Sequence, residues 1–225
     1  MTRPAPARPT PRQDRSRRTE QTLLDAALGL FLARGVEAVT VGDIAAAAGV
    51  APATIYRRFG DKEGLLREAF ARFTGNALQM LDLAPAPKPA RSFVPLVADI
   101  TALVWRFIRT HQPLLQSSYA KALADDFYAA HLVELRGRVF ARLRDMFLQR
   151  ADEIGHPQPE LAVDFALRQA VAMLSARLEA GRLEVGDGAM DDALFVRELL
   201  RSILSYLQVP CTAQAIDRAL TARGL

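Results

Sequence analysis

Within residues 53–62 the chain places Ala53, Thr54, Tyr56, Arg57, Arg58 and Lys62. These side-chain types suit contact with a polyanion. A guanidinium can reach guanine O6 and N7 or a phosphate, and Thr54 can bond a phosphate or offer its methyl group to thymine. Ala53 adds little beyond the backbone and lets a helix approach closely. Positions 53, 56 and 57 stand at i, i+3 and i+4, so they share one helix face. Two adjacent arginines alone would equally describe an ordinary solvated face, so the surrounding layout has to decide. Lys62 falls in the first turn of the next helix, where a cation is locally unfavourable. Beside unpaired backbone N–H groups, however, it makes a phosphate clamp.

The elements that must hold these residues read as a helix-turn-helix. Leu24, Ala27, Leu28 and Phe31 follow a helical period that Gly35 ends. In VTVGDIAAAAGV, residues 39–50, Thr40 stands as N-cap with Asp43 three positions on, a shortened capping box. Val41, Ile44, Ala45 and Ala48 form the buried stripe, and Gly49 suits a left-handed turn. Pro52 then opens a second short helix, where its missing N–H loses nothing. Val50, Ile55 and Phe59 lean inward, leaving Ala53, Thr54, Tyr56, Arg57 and Arg58 outward. Asp61 caps a longer helix from about Lys62 to about Leu81.

Charge supports the same division. Through residue 75 there are 12 Lys/Arg against 8 Asp/Glu, and from 76 onward 17 against 17. The whole excess of +4 therefore sits in the first third, which points to a polyanionic partner for that part only. Residues 1–15, MTRPAPARPTPRQDR, hold four of the 13 prolines and almost nothing apolar, and are expected to form a disordered arm. Arg3, Arg8, Arg12, Arg15, Arg17 and Arg18 stand against Asp14 alone. They would track phosphates, enter a minor groove, or simply keep the chain soluble.

The remainder is read as all-α. APAPKPA, residues 84–90, marks the internal boundary, giving an arm at 1–15, a helix-turn-helix domain at 16–81 and a helical domain at 82–225. Phe93, Val97, Ile100, Val104 and Phe107 make one stripe; Leu132, Leu135, Val139, Leu143 and Met146 make another. The segments around 158–180 and 190–208 are apolar over more than half their circumference. Such helices are buried centrally or against a second subunit. Cys211 is alone, so no intrachain disulfide forms and a reducing, cytoplasmic setting is expected. The N-terminus lacks a secretory h-region and no 18-residue uncharged apolar run exists, so no membrane partner is expected.

Residues 23–66, LLDAALGLFLARGVEAVTVGDIAAAAGVAPATIYRRFGDKEGLL, closely resemble the N-terminal domain of TetR-family transcriptional regulators. The features that carry the likeness are the helix ending at Arg34-Gly35, the T-V-x-D-I-A-x-x-A-G-V run, T-I-Y-x-x-F and D-K-E-x-L-L. They cover about a fifth of the chain. The resemblance implies an N-terminal three-helix helix-turn-helix domain joined to a larger helical domain that binds an effector and dimerises. It also implies a double-stranded DNA operator as partner, with Thr40, Thr54, Tyr56 and Lys62 on the backbone and Ala53 and Arg57 toward bases. Two departures stand out. Ala51 replaces the usual capping Ser or Thr, which removes about 1 kcal/mol of helix support and suggests that the helix is fully ordered only on DNA. Gly42 removes one side chain that members often carry.

In the second domain the sequence offers Trp105, Arg109, His111, Tyr119, Phe127, Tyr128 and His131 as aromatic walls and polar handles for a small, mostly apolar effector. The helices near 158–180 and 190–208 are the expected homodimer contact. No cofactor or metal is expected. Glu153 and His156 form a single E-x-x-H match, but Gly155 and Pro157 break the helix that would present it. Without a catalytic motif, an enzyme is not expected; the alternative is a helical interaction protein that has lost DNA binding.

Overall fold

The computed structural model describes residues 11–83, 92–179 and 190–224. Among them the elements are α1 (Pro11–Arg34), α2 (Val41–Ala48), α3 (Pro52–Phe59), α4 (Lys62–Leu83), α5 (Phe93–Ala122) and α6 (Asp126–Leu148), followed by a 3-10 turn (Ala151–Glu153), α7 (Pro159–Glu179), α8 (Asp192–Tyr206) and α9 (Ala213–Thr221). The all-α expectation is met. Two compact units divide at Gly75–Asn76, inside α4, rather than at 81/82. The buried positions of α4 end at Thr74, although the helix itself continues to Leu83. The proline cluster at 84–90 lies outside the described residues.

In the first unit, Leu23, Ala27 and Phe31 of α1 are fully buried, as are Ile44 of α2, Ile55 of α3 and Leu65 of α4. Each of the leucine, isoleucine and phenylalanine side chains among them stabilises the unit by about 1.5–3 kcal/mol. One expectation needs correction. α1 begins at Pro11, so residues 11–15 belong to a helix and not to a disordered arm. Proline is tolerated at a first helical position, Arg and Gln are good helix formers, and Asp14 lies in the first turn where its charge opposes the helix dipole. The rest of the arm, residues 1–10, lies outside the described residues.

In the second unit α5 packs against α6, α7, α8 and α9, while α7 also packs on α6 and α8. The wide apolar surface of α8 is covered within the chain: Phe195, Val196, Leu199, Leu200, Ile203 and Leu204 are all buried. Of the two sequence readings for this helix, central burial is the one observed. α7 differs, with Leu161 57 % and Phe165 50 % exposed. The sequence reading did not anticipate α9. Thr212 caps it by accepting from the Ala215 amide at 3.2 Å, and Arg223 just beyond it reaches back to α5.

Glu153 and His156 are not on one helix. Glu153 ends the 3-10 turn, where Oε2 accepts the Phe93 amide at 2.8 Å and Oε1 pairs with Arg150 at 2.9 Å. Its carboxylate thus satisfies an orphan N–H at the start of α5.

Candidate nucleic-acid interface

α2 is fixed first, because its start sets the turn that follows. Thr40 Oγ1 accepts the Asp43 amide at 3.1 Å, and Asp43 Oδ2 accepts the Thr40 amide at 2.8 Å and its hydroxyl at 2.7 Å. The reciprocal capping box is complete. These bonds to Thr40, together with the nearby Arg34 guanidinium at 3.4 Å, hold the Asp43 carboxyl below its ordinary range. The chain then turns at Gly49, whose φ of 66° lies in the left-handed region that a Cβ disfavours.

α3 spans eight residues with Pro52 at its start and no side-chain cap from Ala51. Its hydrophobic anchor is Ile55, fully buried; Val50 and Phe59 are half-buried. Ala53, Tyr56 and Arg57 are exposed and Thr54 is half-buried. Tyr56 is 54 % exposed, which is high for a ring of that size. Three of the expected contact residues therefore share an open face.

Arg58 does not join them. It turns back onto α1, where Nη2 donates to Ser16 Oγ at 2.9 Å and Nη1 lies 3.6 Å from Glu20 Oε2. The sequence reading placed Arg58 outward beside Arg57. A half-buried guanidinium with a carboxylate in reach loses less by staying paired than by extending alone into solvent. Ser16 and Glu20 went unnoticed because no local sequence pattern links them to a residue some forty positions later.

Behind α3, α4 starts abruptly. Asp61 Oδ1 accepts the Gly64 amide at 2.7 Å and caps the helix. A Cβ on Gly64 would stand 2.0 Å from the Phe59 carbonyl oxygen. Only glycine lets the first turn of α4 run so close to the end of α3, and that approach sets Lys62, half-buried, just past the recognition helix. Gly64 was another residue that the sequence reading passed over. The available signal was a glycine in the first turn of an otherwise well-formed helix.

The surface so assembled combines a small residue, a phenol and a guanidinium on one exposed helix, with a capped helix behind it. It can lie in a groove and offer donors to phosphates and base edges. Residues 23–69, running from α1 into α4, match the family described as bacterial regulatory proteins, tetR family. The chain is 32 % identical over 167 residues to the HTH-type transcriptional repressor KstR2 of Mycolicibacterium smegmatis, covering 71 % of this chain and 76 % of that relative. It belongs to the tetR family. The likeness to the HTH-type transcriptional regulator BetI of Rhizobium meliloti is 26 % over 210 residues, 91 % of this chain and 90 % of that one. A TetR transcription regulator from Haloarcula marismortui shares the fold, with a TM-score of 0.63 at 15 % identity over 85 % of this chain and 97 % of that chain. As a tetR-family member the protein is a DNA-binding transcriptional regulator rather than an enzyme.

In the helical unit of this tetR-family protein, the seven residues suggested for an effector fall into separate groups. Trp105 is buried against Phe195, with ring centroids 5.3 Å apart, and Arg109 lies 5.9 Å from the Trp105 ring while pairing with Asp192 at 3.1 Å. Phe127, Tyr128 and His131 form a second aromatic cluster on α6. Tyr119 receives Arg136 through its hydroxyl at 3.1 Å and across its ring at 4.5 Å. His111 packs on Phe107, one turn earlier in α5. An open cleft of about 420 Å³ beside α8 and α9 is lined by Asp191, Leu194, Arg197, Asp217, Leu220 and their neighbours, and by none of the seven. Among the described residues no helix is long and apolar enough to cross a membrane.

Proposed function

We propose that this protein is a ligand-responsive repressor that binds a palindromic operator as a homodimer and leaves it when a small, mostly apolar effector binds the helical unit. The observation that carries this reading is the open face of α3, where Ala53, Tyr56 and Arg57 are exposed while Ile55 anchors the helix from behind. Arg57 and Ala53 face bases, and Thr54, Tyr56 and Lys62 contact the backbone. Thr40, exposed at the start of α2, also contacts the backbone, while its amide and hydroxyl bond Asp43 and hold that helix. The name of the KstR2 relative supports repression.

For dimerisation, the support lies in α7: Leu161 and Phe165 are a helical turn apart, and both are more exposed than large apolar side chains usually are. α8 contributes less than its sequence suggested, since most of its apolar residues already face α5, α7 or α9. For the effector, Trp105 with Arg109 offers an aromatic wall beside a cation, and Phe127 with Tyr128 and His131 offers a second wall. A twofold pair of heads reads half-sites spaced by whole turns of DNA, so a change in head separation would release the operator. In this reading the first unit, Met1–Gly75, serves DNA and the second, Asn76–Leu225, serves the effector and the dimer contact.

The test is fluorescence anisotropy of the full-length protein on the DNA flanking its own gene, against shuffled DNA, over a salt series. Tight, salt-sensitive binding to the native fragment, lost in Arg57→Ala, supports the reading. Absence of binding even at low salt removes it in favour of an interaction protein.

A further inference from the structure

We infer that Arg58 is a positioning residue: by reaching from α3 to Ser16 and Glu20 of α1, it holds the recognition helix in place before DNA arrives. α3 needs that support. It has eight residues and no side-chain cap at Ala51, and isolated helices shorter than about 12 residues are marginal in water. Ile55 anchors the middle of the helix, while Phe59 at its C-terminal end is only half-buried.

The Arg58 guanidinium adds a polar tie beside that end. Its Nη2 donates to Ser16 Oγ at 2.9 Å and its Nη1 lies 3.6 Å from Glu20 Oε2. Ser16 and Glu20 stand at i and i+4 on α1, so one planar fork spans a single helical turn. The side chain is only 21 % exposed, and Nε is buried without a hydrogen-bond partner among the described residues. A guanidinium serving phosphates would keep that N–H in water. Two adjacent arginines therefore do different work, Arg57 facing outward and Arg58 facing the protein.

The sign of the Glu20 effect separates positioning from phosphate contact. If Arg58 served phosphate, removing the competing carboxylate would free a cation and strengthen binding to a polyanion. If Arg58 positions α3, the same change loosens the helix and weakens specific binding. The inference rests on the DNA-binding reading for its second readout, whereas its first readout needs no DNA.

The experiment measures hydrogen–deuterium exchange of the segment spanning 52–59 in the full-length protein, with Glu20→Gln, Ser16→Ala, Arg58→Ala and Arg57→Ala beside the wild type. Glu20→Gln and Ser16→Ala keep the test open should Arg58→Ala fail to fold. The expected result is exchange about threefold faster in Glu20→Gln and Ser16→Ala, and unchanged exchange in Arg57→Ala. On the native DNA fragment, Glu20→Gln should bind about threefold more weakly with an unchanged salt slope. Wild-type exchange in Glu20→Gln and Ser16→Ala, or tighter DNA binding by Glu20→Gln, overturns the inference. Should the wild type bind no DNA, the regulator reading fails while the exchange rates still decide whether Arg58 orders α3.

Discussion

Asp43 Oδ2 accepts both the amide and the hydroxyl of Thr40, at 2.8 and 2.7 Å, so the residue that starts α2 is held by its own third neighbour. Because α2 supports α3, this local exchange underlies the whole recognition surface. Thr40→Ala should lower the stability of the first unit by about 1 kcal/mol, read as a lower urea midpoint at pH 7.

The same pair sets a pH dependence. Asp43 has a lowered pKa in the folded state, first through its bonds to Thr40 and then through Arg34. A carboxyl lowered on folding contributes stability that is present above its ordinary value of 3.8 and lost as pH falls through the folded value. The stability gap between wild type and Asp43→Asn should therefore be full at neutral pH and close in acid. Urea titrations across that range measure it, and a gap that widens in acid would contradict the assigned sign.

Gly64→Ala should be more damaging than its position suggests. The added Cβ would stand 2.0 Å from a backbone oxygen of Phe59, which no side-chain rotation relieves. A cost of about 1–3 kcal/mol is expected, together with weaker DNA binding, because α4 must shift away from α3. Circular dichroism melts and the same anisotropy assay check both. A variant that melts and binds like wild type would show that α4 can move at no cost.

Arg223 ties the end of the chain to α5. Its Nε donates to Asp99 at 2.6 Å and its Nη2 to the Pro95 carbonyl at 3.0 Å, with a further bond to Ala219. Its side chain is 14 % exposed, so water replaces these bonds poorly. Arg223→Ala should cost about 1–3 kcal/mol, seen as earlier urea unfolding of the helical unit. DNA binding at low denaturant should persist.

If α7 forms the dimer contact, Phe165→Glu should place a charge in it. Sedimentation equilibrium is expected to show the mass of one chain for the variant and of two for the wild type, with unchanged helix content. A dimeric variant would move the contact elsewhere.

The local chain determined a great deal by itself. The Thr40–Asp43 cap, the left-handed Gly49, the Pro52 start and the Asp61 cap all involve residues within a few positions of one another, and each was readable because short-range geometry leaves few alternatives. The inward Ile55 and outward Ala53, Tyr56 and Arg57 followed from helical period alone. Tertiary structure decided what depends on a distant neighbour. Arg58 and Arg57 are adjacent and chemically identical, yet only Arg58 has Ser16 and Glu20 within reach. Glu153 caps a helix that starts 60 residues earlier, and α8 is covered by α5, α7 and α9. Period says that a face is apolar or charged, but not which surface meets it. That depends on how helices far apart in the chain are brought together, and burial and pairing are settled only there.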